Sequence, residues 1–477
     1  MNLGDFFKLY QEIGLLAVFL LLLIFDIAVS DRPAMKYFQL VACIALGLHV
    51  AGGFAYSVFS TVPDETAFGG MYGTSKMAVM MKNLLGLATF FVFLQSGQWL
   101  RSTKAIRQRE GEFYIIMLAT LLGMYFMISA QHFMLLYLSI EMASLPMACL
   151  SAFDKYNRRS AEAGAKYVLT TALSSGIMVF GMSYIYGGVG TLYFFDVASH
   201  ASNILVLFGF VFFFAGLAYK ISLAPFHLWT ADVYEGAPTG VSAHFSVASK
   251  AAASFTLIFI LYRVFGNIEA VWHNMLLVLT VITIVTGNLF ALRQKNIKRF
   301  FAFSSVSQAG YIMLGTLSGS AQGITATIYY ILVYLFSNLA IFGVIASVEN
   351  NTGRTDIAVL RGFSKNNPRL SFVMMIAVFS LAGIPPLAGA FSKFFIFAAV
   401  FARGDYALVA IALANTVVAL YYYLLIVKAM YIDSATDPAP DVIRTDNFNR
   451  LSLVMCSIGI LTVGFVSGIY EYIGALL

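Results

Sequence analysis

Four charged side chains stand in otherwise apolar stretches: Glu141 in "LLYLSIEMASLPMACL", Lys220 in "AGLAYKISLAPFHLW", Lys250 in "HFSVASKAAA" and Lys393 in "LAGIPPLAGAFSKFF". A charge at mid-bilayer costs at least about 2.5–3.5 kcal/mol on insertion scales, and such residues are functional by default. Two buried ion pairs cannot account for the set, because three lysines face one glutamate. At least two lysines must reach internal water or be neutral part of the time. Desolvation favours a neutral amine and a nearby carboxylate favours the ammonium. Together they make a proton carrier whose affinity changes when one partner moves. Pro225 follows Lys220, and Pro385 and Pro386 precede Lys393. A proline inside a helix removes one hydrogen bond and clashes with the carbonyl four residues back. For Pro225 that carbonyl is at Ile221, next to Lys220. Freed carbonyls persist in a membrane only where protein or internal water satisfies them, and discontinuous helices commonly build ion sites. Pro146, by contrast, reads as a plain kink. His227 and His244 read equally as proton relays and as interfacial hydrogen-bonding residues. His49, His132, His200 and His273 read as structural or interfacial.

The frame that must position these charges is a membrane. Of 477 residues, 60% are hydrophobic and 11% charged, with a mean hydropathy of +0.83. Soluble chains carry about 25% charged residues. Cys43, Cys149 and Cys456 form no CxxC, so no iron–sulfur, haem or zinc ligand set can be read. There is no dinucleotide fingerprint and no P-loop. The chain is therefore expected to hold no cofactor and no metal. Its first apolar run, Ile13–Val29, lacks the flanks of a cleaved signal and is expected to stay as a span. A membrane helix needs about 20 apolar residues. The expectation is an all-α polytopic membrane protein of about 14 spans. They lie near 11–29, 37–60, 77–100, 112–130, 132–153, 161–186, 203–228, 237–263, 270–292, 298–317, 321–348, 369–402, 406–431 and 451–474. The seventh and twelfth are expected to be broken at their prolines, and Pro238 sits at the mouth of the eighth.

The basic residues give the topology. Nineteen of the 29 lysines and arginines fall in odd-numbered loops, among them Arg32, Lys36, Lys104, Lys155, Lys295, Arg299, Arg361 and Arg444. The even loops hold only Lys76, Arg263 and Arg403. This asymmetry predicts cytoplasmic odd loops and both termini on the opposite, periplasmic side. It also accounts for the basic balance without nucleic acid. Loop seven, "DVYEGAPTG", is the exception, with no basic residue at all. Lys82, Lys166 and Lys428 lie near span ends and are expected to snorkel. Glu141 reads as the one deeply placed acid.

Spans four to eight and nine to thirteen each hold five helices with a broken helix at the fourth place, so the second set is expected to be an inverted copy. The expected parts of this single membrane domain, 1–477, are 1–110, 111–269, 270–432 and 433–477. "LYLSIEMASLPMACL" followed by "AYKISLAPFHLWTADVYEGAPTGVSAHFSVASKAAA" resembles the proton-translocation core of the antiporter-like membrane subunits of complex I (NADH-quinone oxidoreductase) and their cation/proton antiporter relatives. The resemblance covers the whole chain. Lysine in "LAGIPPLAGAFSKFF" is similar to the N-type members, where M-type members have glutamate; a chain ending at Leu477 fits poorly with the L-type, which has a long lateral helix. The resemblance implies that Glu141 pairs with Lys220, that Lys250 is the central relay, and that Lys393 is the exit carrier along an internal water chain. It implies a translocase subunit in the bacterial inner membrane, with M-, L-, K-, J-, A- and H-type membrane subunits, a peripheral redox arm and lipids as partners. Quinone, NADH, FMN and iron–sulfur clusters would belong to those partners. The alternatives are a stand-alone sodium or potassium/proton antiporter and a redox-inactive assembly scaffold.

Overall fold

The computed structural model describes residues 3–29, 37–59, 62, 64–434 and 442–476. Arg32 and Lys36, part of the topology signal, lie outside the described residues. Among the described residues, twelve helices are long and apolar enough to cross a membrane. In chain order the main helices are α1 Tyr10–Val29, α2 Phe38–Phe59, α3 Lys76–Leu100, α4 Glu110–Ser129, α5 Phe133–Ser151, α6 Arg158–Val189 and α7 Ile204–Ile221. After a turn come α8 Leu228–Gly236, α9 Thr239–His244 and, beyond a π-helical turn Phe245–Ser249, α10 Lys250–Arg263. The rest are α11 Glu269–Ala291, α12 Ile297–Leu317, α13 Ala321–Thr352, α14 Pro368–Ala382, α15 Ala388–Arg403, α16 Tyr406–Tyr431 and α17 Asn447–Phe465. All fourteen expected spans thus have a helical counterpart. The tenth, α12, opens with Lys298 and Arg299 and lies outside the twelve, and the twelfth is the pair α14 and α15. A two-stranded hairpin, β1 Glu65–Ala67 and β2 Tyr72–Thr74, fills the loop between α2 and α3. Its turn uses positive φ at Phe68, Gly69 and Gly70.

The chain forms two compact units. The first comprises Met1–Phe93, Thr103–Ile221 and Ala248–His273; the second comprises Leu94–Ser102, Ser222–Val247 and Asn274–Leu477. In the first unit α6 and α7 cross at glycines. A Cβ on Gly181 would lie 2.5 Å from the Gly209 carbonyl oxygen and 2.5 Å from the Phe213 nitrogen. Small residues allow membrane helices this close approach. It brings Lys220, at the end of α7, against the polar residues of α6. In the second unit α13 is buried along nearly its whole length. An apolar sequence on every side marks such a central helix.

Pro146 lies inside α5, which runs on through it, as a plain kink would. Two expectations about charge need correction. Lys82 does not snorkel: it is 1% exposed, donates to Glu12 Oε1 at 2.6 Å, and lies 3.0 Å from the Tyr72 hydroxyl. Glu141 is therefore not the one deeply placed acid: Glu12 is 2% exposed, and Glu110, at the start of α4, is 0% exposed. Burying a carboxylate and an ammonium together replaces the water each would lose. The hairpin supplies Tyr72, whose hydroxyl donates to Glu12 Oε2 at 3.0 Å. Nothing near Glu12 in the sequence announces that closure.

Candidate proton-carrier site

In the first unit, Lys220 is the penultimate residue of α7 and is 7% exposed. Its Nζ donates to Ser144 Oγ at 2.7 Å and to Thr171 Oγ1. Glu141, half-buried, accepts from the Ser175 hydroxyl. Residues three and four apart share one helix face. Glu141 and Ser144 therefore stack on α5, and Thr171 and Ser175 on α6. The two helices present a two-rung ladder, with carboxylate and Ser175 on one rung and ammonium and two hydroxyls on the next. No ion pair within 4.0 Å joins Glu141 to Lys220 in this arrangement. A rung step by either side chain would bring them together.

Lys250 is the first residue of α10 and is 2% exposed. The π-helical turn before it was not readable from the sequence, although π-turns often mark functional sites. In the second unit, Asn338 holds part of that turn, donating to Ser246 Oγ at 2.6 Å and lying 2.9 Å from the Tyr334 hydroxyl.

Lys393 sits on α15 and is 5% exposed. The break between α14 and α15 occupies Gly383–Leu387, with Gly383 at φ 88° and a cis bond joining Pro385 to Pro386. The Ala382 carbonyl, at the end of α14, accepts from Lys393 Nζ at 3.1 Å, and the ammonium lies 5.1 Å from the Tyr311 ring centroid. The carbonyl at the helix end is thus satisfied by the lysine itself. A small cavity of about 10 Å³ joins Lys393 to Gln308, Tyr330, Tyr334, Ser380 and Ser392. That is close to the space of one water molecule. From its wall the polar line continues: Tyr330 donates to Gln308, Gln308 Nε2 donates to the Tyr423 hydroxyl at 3.1 Å, and Tyr423 and Ser304 are 2.5 Å apart.

The expected break after Lys220 spans Ser222–His227, with Ser222 at φ 68° and a cis bond from Ala224 to Pro225. Ala224 N donates to Thr283 Oγ1 at 2.9 Å, satisfying one group freed by the break. His227 and His244 are 6% and 0% exposed, so both lie inside the protein. His227 lies against the Phe290 ring, with centroids 6.2 Å apart. Lys166 and Lys428 are at helix surfaces, paired with Glu162 at 2.8 Å and Asp433 at 3.7 Å, as their places near span ends suggested.

Loop seven, the basic-free exception, also finds its partners. Arg299 bonds Asp232 at 2.6 Å and Glu235 at 2.9 Å, and Lys298 Nζ donates to the Ala237 carbonyl at 2.8 Å and pairs with Glu349 at 3.3 Å. The "DVYEGAP" acids are therefore matched by the base-rich start of α12.

The family described as NADH:quinone oxidoreductase/Mrp antiporter, transmembrane, matches residues 130–419, a stretch that holds Glu141, Lys220, Lys250 and Lys393. NADH-quinone oxidoreductase subunit N of Azobacteroides pseudotrichonymphae is 56% identical, over 99% of this chain and 98% of that protein. The subunit N of Phocaeicola vulgatus is 49% identical, over 99% and 98%. Among solved structures, a chain of Thermus thermophilus respiratory complex I with bound aureothin superposes with TM-score 0.79 at 28% identity, over 96% of this chain and 97% of that one. A chain of the Dietzia Mrp complex has the same fold, with TM-score 0.86 at 20% identity, over 100% and 97%. The chain belongs to the NADH:quinone oxidoreductase/Mrp antiporter family of membrane subunits, and within it to the N subunits.

Proposed function

We propose that this chain translocates protons as a membrane subunit of an NADH:quinone oxidoreductase. Protons move from the cytoplasm outward, driven by quinone reduction in partner subunits, and the chain itself carries no redox centre. Both termini lie on the periplasmic side of the bacterial inner membrane. The observation that carries the reading is the burial of three lysines, Lys220, Lys250 and Lys393, each beside an interrupted helix. The carboxylate of Glu141 and the ammonium of Lys220 occupy neighbouring rungs. When they meet, Lys220 holds its proton; when they part, the proton passes to Lys250 and leaves by Lys393. His227 and His244 are interior groups that can serve the same relay. Moving one charge against the membrane potential costs about 2.3 kcal/mol per 100 mV. A tenfold change in proton affinity is about 1.4 kcal/mol, so a swing of roughly two decades at Lys220 is the required scale. The proposed parts of the chain are three leading helices, two inverted five-helix sets and a last helix.

Lys220→Ala in the assembled complex, reconstituted in liposomes, should lower both acidification of the lumen and coupled quinone reduction. Full pumping by Lys220→Ala would sink the proposal. Sodium- or potassium-dependent proton exchange by the purified single chain would replace it with the antiporter.

A further inference from the structure

On the face carrying loops nine, eleven and thirteen, the second unit has an open cavity of about 500 Å³. Its rim is charged. Among the described residues, Lys295, Arg354, Arg361 and Lys428 line it, together with the acids Asp356 and Asp433. Arg354 pairs with Asp356 at 3.9 Å and Lys428 with Asp433 at 3.7 Å. Lys295 and Arg361 are exposed and, among the described residues, have no carboxylate within 4.0 Å. Counted over the described residues, the cavity therefore presents a net positive charge, with two cations that no described carboxylate pairs.

Backbone hydrogen bonds tie together the loops that carry these cations. Ile357 N donates to the Lys295 carbonyl at 2.8 Å, Ile297 N donates to the Thr355 carbonyl at 2.8 Å, and Gly362 N donates to the Ala429 carbonyl at 2.9 Å. The loop bearing Lys295, the loop bearing Arg361 and the end of α16 are thus tied around one space. The floor is apolar, formed by Phe300, Tyr422, Leu425 and Ile426. Below it α11 and α16 touch, with Asn288 Nδ2 donating to the Asn415 carbonyl at 3.1 Å and accepting at Oδ1 from the Tyr422 hydroxyl at 3.0 Å. Those two helices expose Leu289, Leu424 and Leu425 on their outer faces. A charged rim above an apolar helix flank has the polarity of one phospholipid leaflet.

We propose that this cavity binds an anionic diacyl phospholipid, its phosphate against Lys295 and Arg361 and its acyl chains along α11 and α16. Guanidinium matches phosphate oxygens bidentately, and basic pockets between membrane helices suit anionic headgroups. An acidic peptide would satisfy the rim but leave the flank below it uncovered. The assignment is independent of the proton route.

The test uses the purified complex and a photoactivatable phosphatidylglycerol, with labelled peptides mapped after digestion. Label is expected in 421–433 and 289–300, competed by unlabelled phosphatidylglycerol and not by inorganic phosphate. Lys295→Gln with Arg361→Gln should weaken labelling about tenfold, roughly 1.4 kcal/mol, while proton pumping persists. Unchanged labelling in that variant overturns the site. Equal labelling by a phosphatidylcholine probe overturns headgroup selection, and competition by inorganic phosphate overturns the lipid as occupant. A carbodiimide cross-link from Lys295 to another subunit, without lipid label, assigns the cavity to an acidic peptide instead. If the variant fails to assemble, the headgroup comparison on the unaltered complex decides.

Discussion

The ammonium of Lys220 rests on hydroxyls, one rung from the carboxylate proposed to control it. Hydrogen bonds to charged groups contribute about 1.5–3 kcal/mol each. Ser144→Ala with Thr171→Val removes the hydroxyl rung and should drive Lys220 towards Glu141, locking the proton in place. Pumping should fall although all four charged residues remain, and the Glu141 carboxylate band, assigned by its loss in Glu141→Gln, should shift in infrared difference spectra. An unchanged band and unchanged pumping would show the hydroxyls to be bystanders. The pair formed by Glu12 and Lys82 behaves differently, because both charges are fully buried and already matched. Lys82→Met alone leaves a buried carboxylate and should destabilise the chain by about 3–5 kcal/mol. Adding Glu12→Gln should recover most of that loss, read as the thermal midpoint of the purified complex. A double variant as unstable as the single one would mean that packing, not charge, holds α1 to α3.

At the scale of elements, the breaks do what the prolines suggested and one thing they did not. The sequence shows where a helix must stop, since proline removes a donor and collides with the preceding turn. It does not show which group will satisfy the carbonyl left behind. At Lys393 the lysine does so itself, through Ala382. Gly383 makes this possible: its φ of 88° suits glycine, and a Cβ there would meet Lys393 Cδ at 3.0 Å. Gly383→Ala should cost about 1–2 kcal/mol in backbone strain and push the ammonium off the Ala382 carbonyl. The expected result is an assembled complex with slower pumping, measured beside Lys393→Ala as the limit; normal pumping would show that this contact does not matter. The four intramembrane charges and both breaks were legible because bilayer physics makes such residues rare. The π-helical turn before Lys250 and the hydroxyl ladder were not, since serine and threonine are ordinary in membrane helices and gain meaning only from the opposite helix. Glu12 gives no sequence signal for a similar reason: its partners Lys82 and Tyr72 lie 70 and 60 residues further along the chain.

For the whole molecule, the distribution of charge among the loops also bears on the direction of transport. Loop seven departs from the topology signal, having acids and no bases. Yet those acids meet Arg299 and Lys298 at the start of α12, and Glu349 at the end of α13 joins the same cluster. Loops seven, nine and eleven therefore share one face. Orientation follows excess lysine and arginine in short loops, with acids counting little. Reporter fusions measure it directly. Green fluorescent protein joined after Gln294 should fluoresce, and alkaline phosphatase joined after Gly404 or at Leu477 should be active. The reverse pattern would place the basic loops outside and turn the proposed proton route around. A mixed pattern, bright after Gln294 yet inactive after Gly404, would instead mean that α14 and α15 do not complete a crossing. In that case Lys393 would open to the same side as loops nine and eleven, and it could not be the exit carrier.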